Sequence, residues 1–328
     1  MTINIENPGV RVSKRVQAVP PSPIRSLEPF AMEAKKKGVK VYPLHIGQPD
    51  IETPPLFFDT LKNFDQEVLA YGPSTGDIKL IEGIAAYYAA KGIPIRPVDL
   101  LISNGGAEAL SFAVTATCDS GDEILIPEPF FPGYTNIIKA LDVAIVPIST
   151  KVSEGYHLPS FEECESKITP KTRAILLSHP GNPTGVVYTP EEVDRIADLA
   201  VAHNLFVIAD EVYREFVYDP SAHYRSFASL GRISNRVIIV DSISKRFSAC
   251  GARVGCIVSR NPEVIQNVLK LCQGRGCPPV LEQAGARALY EMDSASYLNS
   301  VNEEYSSRRD ILYNLLNAID GVVCRKPE

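Results

Sequence analysis

The sequence predicts an α/β protein with a mostly parallel sheet flanked by helices. From about residue 51 onward, short apolar runs alternate with amphipathic helical segments, which is the pattern of a parallel sheet. Five of these runs are followed directly by loops that carry polar, aromatic or glycine residues: 100–102, 124–126, 175–177, 206–209 and 237–240. With 328 residues, 45% of them hydrophobic, the chain is long enough for two domains.

The organisation along the chain predicts an arm and two domains. Residues 1–24 are rich in Pro, Ser and Val without a clear period, and they predict an extended N-terminal arm. Residues 51–295 are predicted to form the large domain. Residues 25–50 and 296–328 are predicted to form a smaller α+β domain, which is built from both ends of the chain. The run 322–324 resembles the start of a strand with no partner after it. Because isolated strands are unstable, we expect the small domain to be incomplete on its C-terminal side.

Three helices can be predicted from their own residues. The segment 26–37 has Pro29 in its first turn and is followed by Gly38, and a longer helical stretch covers 295–318. A third helix follows Thr189, a predicted N-cap, with Pro190 at the first helical position and Glu192 completing a capping box. Its apolar residues are expected on one face: Val193, Ile196, Ala197, Ala200 and Val201.

Composition excludes several classes of protein. The net charge of −6 provides no basic surface for nucleic acid. Seven scattered cysteines without Cys-x-x-Cys spacing indicate reduced thiols, and neither disulfides nor a metal site are expected. The N-terminus lacks the pattern of a signal peptide, and no apolar segment is long enough to cross a bilayer. We therefore expect a soluble, cytoplasmic protein without nucleic-acid or membrane partners.

The loop after 237–240 has the most informative side chains. Ser242 and Lys245 follow this predicted strand directly, and Arg253 comes eight residues after the lysine. An amine can form a Schiff base with an aldehyde, and hydroxyl and guanidinium groups bind phosphate oxygens. A lone lysine on a polar loop is usually a surface residue. The combination, however, predicts a site for a cofactor that carries an aldehyde and a phosphate.

The other loops add compatible groups, since open α/β sheets bind ligands where their strands end. Gly105 and Gly106 begin a predicted helix whose N-terminal N–H groups favour an anion. Asp210 follows an apolar run and would stay ionised beside a protonated pyridine nitrogen; alternatively, it caps a helix. Tyr213 and Asn182 could both donate a hydrogen bond to a ring oxygen. Alternatively, Tyr213 is an aromatic residue of the core and Asn182 a turn residue. The ring of Phe131, which lies between prolines, could stack on a heterocycle or simply pack in the core.

These segments resemble the class I/II aminotransferases, pyridoxal 5′-phosphate (PLP) enzymes of the aspartate aminotransferase fold, also called fold type I. The resemblance covers nearly the whole chain, and the motifs occur in the order of the family. They are Gly47-Gln48-Pro49-Asp50, Tyr71-Gly72-Pro73-Ser74-Thr75-Gly76, Gly105-Gly106-Ala107-Glu108-Ala109, Pro129-Phe130-Phe131-Pro132-Gly133-Tyr134, Pro180-Gly181-Asn182-Pro183-Thr184-Gly185, Asp210-Glu211-Val212-Tyr213 and Ser242-Ile243-Ser244-Lys245.

The resemblance implies roles for the residues around the cofactor ring. Lys245 is expected to bind PLP as a Schiff base and to act as the general base. Asp210 is expected to hold the pyridinium nitrogen. Asn182 and Tyr213 are expected to bond the ring oxygen, and Phe131 to stack on the ring.

The resemblance also implies a phosphate site and a homodimer. Gly106, Ala107, Ser242 and Arg253 are the expected phosphate ligands. Tyr71 is expected to reach the phosphate of the neighbouring subunit, so two copies of the chain would share each site.

The implied reaction moves an amino group from an L-amino acid, aspartate or a similar donor, to a 2-oxo acid such as 2-oxoglutarate. Gly47 and Asn182 are the expected substrate contacts, because the arginine with which the family binds the α-carboxylate lies in a C-terminal segment beyond these 328 residues. Arg275 is a loosely placed candidate for a distal carboxylate, or else an ordinary loop arginine. A PLP lyase with the same cofactor residues remains an alternative. A nicotinamide dehydrogenase is excluded, because the chain lacks the G-x-G-x-x-G motif of dinucleotide-binding domains.

Overall fold

The computed structural model describes residues 10–328, and its centre is a seven-stranded sheet with the order β1-β7-β6-β5-β4-β2-β3. All seven strands lie between residues 100 and 258. They are β1 Leu100–Ser103, β2 Glu123–Glu128, β3 Ala144–Ser149, β4 Thr172–Ser178, β5 Phe206–Asp210, β6 Val237–Ser242 and β7 Gly255–Val258.

The predicted mostly parallel sheet is confirmed, and each of the five apolar runs forms a strand. Neighbouring strands pair in parallel except β7, which is antiparallel to both β1 and β6. The five predicted strands therefore share one direction and end at the same edge of the sheet. Two strands were not predicted: β3 contains Pro147 and exposed residues, as edge strands often do, and β7 has only four residues.

Helices cover both faces of the sheet. In chain order they are α1 Lys14–Gln17, α2 Glu28–Lys36, α3 Pro55–Lys62, α4 Ile78–Ala90, α5 Gly106–Thr117, α6 Gly133–Ala140, α7 Phe161–Glu165, α8 Pro190–Ala202, α9 Ile243–Arg246, α10 Pro262–Arg275, α11 Val280–Glu291 and α12 Ala295–Asn317. None of the helices in the described part of the chain is both long and apolar enough to span a bilayer.

The core consists of two apolar clusters, one on each face of the sheet. Strand β4 shows the division, because Ile175 and Leu177 pack in one cluster while Ala174 and Leu176 pack in the other. Side chains of a strand alternate between faces, so a strand buried on both sides is apolar throughout. This burial explains why the central strands could be recognised as continuous apolar runs.

The three predicted helices are present with small shifts in their ends. In α8, Thr189 accepts from the Glu192 N–H, and the Glu192 carboxylate accepts from the Thr189 N–H, so the capping box is confirmed. Val201 was expected on the buried face of α8, but this prediction is wrong. Val201 is 49% exposed, because it lies at the border of the apolar face in the last turn.

The division into an arm and two domains stays a prediction. Residues 1–9 of the predicted arm lie outside the described residues, and the remainder of the arm contains the short helix α1. The segments 25–50 and 296–328 contain α2 and α12 but no strand. The run 322–324 in particular forms no strand, since no neighbouring strand pairs with it.

Candidate active site

The amine of Lys245 lies at the edge of the sheet where the five predicted strands end. Ser242, the last residue of β6, is the N-cap of α9, and its Oγ accepts from the Ser244 N–H at 3.0 Å. This short helix places Lys245 so that its Nζ donates to the carbonyl oxygen of Gly47 at 2.6 Å. The same Nζ lies 6.0 Å from the centre of the Tyr213 ring. The structure thus brings together Lys245, Tyr213 and Gly47, which are distant in sequence.

Asp210 ends β5 at the same edge of the sheet. Tyr134 Oη donates to its Oδ2 at 2.8 Å, and the Val212 N–H donates to Oδ1 at 3.4 Å. Burial raises the pKa of Asp210 to about 6, although the Tyr134 hydrogen bond opposes this shift. The charged groups that act on it most strongly are two more carboxylates, Asp241 and Glu211, which raise the pKa further. Asp210 is therefore a carboxylate that would be stabilised by a cation from a ligand.

Tyr213 and Asn182 also meet at this edge of the sheet. Asn182 Nδ2 donates to Tyr213 Oη at 3.4 Å. Burial raises the pKa of Tyr213, and the nearby Asp210 charge adds to this effect. The phenol therefore keeps its proton and can donate it to an oxygen atom of a ligand.

Phe131 follows β2 and is partly exposed. Its ring packs edge-on against Tyr134 with the ring centres 5.6 Å apart. A Cβ on Gly133 would lie 2.3 Å from this ring, so glycine is needed at that position for Phe131 to adopt its orientation.

The turn between β1 and α5 forms a cup with Arg253. Gly105 has φ = 76°, and a Cβ there would lie 2.4 Å from Arg253 Nη2. Only glycine fits both requirements. Gly106 and Ala107 are the first residues of α5, so their N–H groups are free of intrahelical bonds. A Cβ on Gly106 would lie 3.7 Å from that of Ser242, which brings the Ser242 hydroxyl to the same cup.

The cup depends on a further glycine in β7. A Cβ on Gly255 would lie 2.7 Å from the carbonyl carbon of Gly105 and 2.8 Å from the Gly106 nitrogen. Without a side chain, β7 can pass directly under the turn. The backbone thus fixes Gly105 and Gly106 against the sheet, and a ligand can approach their N–H groups closely.

Together these groups fit PLP. Along one edge of the sheet lie a reactive amine, two hydrogen-bond donors for a ring oxygen and an anion cup. The same edge carries a carboxylate that has no cationic partner within residues 10–328. Residues 10–328 contain no cluster of His, Cys, Asp or Glu side chains arranged to hold a metal ion.

Two predicted residues are not part of this arrangement. Tyr71 is 94% exposed, at an open cleft of about 650 Å³ that Asn104 and Arg275 also line. Arg275, the loosely placed candidate for a distal carboxylate, donates from Nη1 to Glu108 at 2.5 Å and from Nη2 to the Ser74 carbonyl at 3.0 Å. Its guanidinium is therefore bound within the chain.

Two residues near the cofactor groups were not predicted. Tyr134 was predicted only as part of a motif, and its bond to Asp210 joins residues that are 76 positions apart in sequence. Cys250 has its Sγ 3.8 Å from Lys245 Nζ, and nothing in the sequence indicated this contact.

Comparison with known proteins agrees with this arrangement. The family profile of aminotransferase class I and II matches residues 39–328. The chain is 30% identical over 322 residues to a probable aspartate/prephenate aminotransferase of Aquifex aeolicus, covering 97% of this chain and 81% of the relative. It is 32% identical over 324 residues to the aromatic-amino-acid aminotransferase 2 of Thermococcus litoralis, with the same coverage of both chains. The solved structure of an alanine aminotransferase from Pyrococcus furiosus superposes with a TM-score of 0.90 at 32% identity, covering 97% of this chain and 82% of that one.

The fold and the comparisons together define a pyridoxal-phosphate-dependent transaminase. The chain belongs to the family of class I and II aminotransferases, whose profile extends over more than four fifths of its length.

Proposed function

We propose that Lys245 carries PLP through a Schiff base and that the enzyme moves an amino group from an L-amino acid to a 2-oxo acid. The observation that supports this most directly is the position of the Lys245 amine, 2.6 Å from the Gly47 carbonyl oxygen and beside Tyr213. Aspartate or a similar amino acid is the proposed donor and 2-oxoglutarate the proposed acceptor. Relatives that are named for aspartate/prephenate and for aspartate support this choice.

Asp210, Asn182, Tyr213 and Phe131 would bind the cofactor ring. A protonated ring nitrogen beside Asp210 would offset the cost of burying that carboxylate. Asn182 Nδ2 and Tyr213 Oη would both donate to the ring oxygen, and the face of Phe131 would limit the movement of the ring.

The phosphate would bind in the cup formed by Gly106, Ala107, Ser242 and Arg253. Two backbone N–H groups and the positive end of α5 attract an anion, and the guanidinium adds a full charge. Ser242 Oγ lies 3.0 Å from the Val254 carbonyl oxygen and 2.7 Å from Ser244 Oγ. Its single proton would therefore turn from these partners toward a phosphate oxygen.

PLP supplies a ring that withdraws electrons from the α-carbon of a bound amino acid. Lys245 Nζ, once free, would act as the base that takes the α-proton of the substrate and would deliver it to a carbon of the cofactor, as conversion to a 2-oxo acid requires. An arginine at this position would not lose its proton at working pH. Asn182 and the backbone at Gly47 would hold the substrate carboxylate.

We propose a homodimer in which Tyr71 reaches the phosphate of the partner. The segment around Tyr71 is exposed and apolar, with Val68 72% and Leu69 59% accessible, and it borders the cleft near Asn104. Two-fold dimers are the commonest oligomers of soluble proteins. A monomer by light scattering of the PLP-bound protein would contradict this proposal.

We also propose a cytoplasmic location. All seven cysteines are free thiols in the structure, and oxidising compartments favour disulfides.

Reduction with borohydride followed by peptide mapping tests the role of Lys245. Borohydride makes a Schiff base permanent, so the added mass should be on Lys245, with no label in Lys245→Ala. Lys151→Ala, a change at an exposed lysine paired with Glu154, is the matched control and should be labelled normally. Label on another lysine would overturn the assignment.

A panel of amino donors then tests the reaction itself. Aspartate should be consumed beyond one equivalent per PLP site only when a 2-oxo acid such as 2-oxoglutarate is present. Continued consumption without any 2-oxo acid would indicate a lyase instead.

A further inference from the structure

Four residues of the candidate site are followed or preceded in sequence by a charged residue that is buried. The charged neighbours are at most 5% exposed, and we call them the buried ion cluster: Glu211 beside Asp210, Arg214 beside Tyr213, Asp241 beside Ser242 and Arg246 beside Lys245. Side chains of a strand alternate between its faces. Glu211 and Asp241 therefore lie on the face of the sheet opposite to Asp210 and Ser242.

Arg246 and Asp241 hold the two ends of the turn that carries Lys245. Arg246 Nη2 donates to both carboxylate oxygens of Asp241, at 3.0 and 2.8 Å, and Nη1 donates to Tyr290 Oη at 2.7 Å. The guanidinium also lies over the Tyr87 ring, 4.3 Å from its centre. Any movement of α9 relative to the end of β6 would break these contacts.

Arg214 connects this turn to the loop after β5. Its Nη2 donates to Glu211 Oε2 at 2.7 Å and to Tyr88 Oη at 2.9 Å, and its Nη1 lies 3.7 Å from Asp241 Oδ2. Tyr88 Oη in turn donates to Asp241 at 3.2 Å. The two carboxylates and two guanidinium groups alternate, so the cluster is neutral as a whole and joins the loop of Asp210 to the turn of Lys245.

Charged residues in the buried ion cluster contribute little to the stability of the folded protein beyond what apolar residues would. Buried ion pairs often contribute no more than apolar residues of the same volume, because both ions lose their hydration. Within residues 10–328, three guanidinium nitrogens of the cluster also have no hydrogen-bond partner: Nε and Nη1 of Arg214 and Nε of Arg246. What the ions provide is a fixed geometry, since each charge must stay opposite its partner.

We infer that the buried ion cluster is a positioning element of the active site, which sets where Lys245 and Asp210 stand by locking their loops together from the opposite face of the sheet. This inference rests on the proposed function. Arg246 and Asp241 are positioning residues in this sense, since they act through Lys245 and Ser242 rather than on the cofactor.

Three cluster variants and one control test the inference. Arg246→Met keeps the volume but removes the bonds to Asp241, Asp241→Asn removes the negative charge, and Arg246→Lys keeps the positive charge. The control is Glu192→Gln, which alters another buried carboxylate, one that accepts from the Leu158 and Thr189 N–H groups far from Lys245 in sequence. Melting temperature, the PLP dissociation constant of the apoprotein and the pH midpoint of the absorbance of bound PLP would be measured for each.

Arg246→Met and Asp241→Asn should weaken PLP binding by about tenfold or more, the value of one misplaced hydrogen bond to a charged group, and should shift the pH midpoint. Arg246→Lys should recover part of both readouts. Glu192→Gln should lower the melting temperature without changing either. If Arg246→Met does not fold, Arg246→Lys decides, because its PLP affinity should lie below that of the wild type.

Two results would overturn the inference in different ways. Wild-type PLP affinity and pH midpoint in the folded cluster variants would show that the cluster only supports the fold, and the proposed function would stand. Wild-type protein without label on Lys245 after borohydride would overturn the proposed function and this inference with it.

Discussion

Asp210 is the last residue of β5, and Asp241 is the last but one of the neighbouring strand β6. Their side chains face opposite sides of the sheet, and the surroundings of the two carboxylates differ in one respect. Burial would raise the pKa of Asp241, but attraction from Arg246 and Arg214 outweighs it and holds the pKa below its usual range. Asp210 receives hydrogen bonds from a phenol and a backbone N–H, and burial raises its pKa to about 6. We call the face that carries the buried ion cluster the closed side and the face that carries Asp210 the open side. On the closed side each charge has a partner of opposite charge, whereas on the open side Asp210 has no cationic partner within residues 10–328.

The difference indicates that, without the cofactor, the ionised carboxylate of Asp210 costs folding free energy. A shift of the Asp210 pKa from 3.8 to about 6 corresponds to at most about 3 kcal/mol for holding this carboxylate ionised. A cation supplied by the cofactor would recover that energy as binding energy. The closed side, which has internal partners, would gain nothing from a ligand.

The largest effect is expected from removing the Asp210 carboxylate on the open side. Asp210→Ala should leave PLP attached to Lys245 but lower turnover by about 10² to 10³, as the loss of one electrostatic stabiliser typically does. The measurement is kcat per bound PLP. Asp99→Ala, which alters a buried aspartate paired with Arg96 at the start of β1, is the control and should lose stability but not turnover. Near-native turnover of Asp210→Ala would show that the carboxylate only accepts from the Val212 N–H.

The two aspartates should also differ in how their substitution changes the free energy of unfolding with pH. The folded-state pKa of Asp210 is above its unfolded value, so the apoprotein loses stability as the pH rises from about 4 to 6. Asp210→Asn has no such loss. At pH 8 the apo form of this variant should be more stable than wild type by up to about 3 kcal/mol in urea unfolding, and near pH 4 the two should agree.

Asp241→Asn should behave in the opposite way in the same experiment. The depressed pKa of Asp241 contributes stability that is present above the unfolded pKa and is lost as the pH falls through the folded one. This variant should therefore be less stable than wild type at pH 8. Equal effects of the two substitutions at pH 8 would contradict the distinction between the open and closed sides.

The sequence allowed the open side to be predicted far better than the closed side. Asp210 and Lys245 could be recognised because a polar residue directly after an apolar run marks the end of a buried strand. The pairing of Arg246 with Asp241 could not be predicted, because a single arginine after Lys245 has no periodic pattern and its burial depends on α4 and α11. Strand β7 was missed for a related reason, since four residues show no period and its antiparallel pairing is set by long-range contacts.

The smallest expected effect concerns Tyr71, whose hydroxyl has no hydrogen-bond partner within residues 10–328 in the structure. If it completes the phosphate site of a partner subunit, Tyr71→Phe should weaken PLP binding by about tenfold or more, the value of one hydrogen bond to a charged group. The measurement is the PLP dissociation constant of the purified apoprotein. Tyr42→Phe, a change at another exposed tyrosine, is the control and should leave the dissociation constant unchanged.

Mixed dimers distinguish a shared site from an effect within one chain. When Tyr71→Phe subunits are combined with Lys245→Ala subunits, sharing creates one site that has both groups and one that lacks both. The intact site should bind PLP with wild-type affinity and should transaminate. If Tyr71 instead acts on its own chain, every site would lack one group, and no site of wild-type affinity would form. Verified heterodimers without such a site would therefore place Tyr71 outside the partner's phosphate cup.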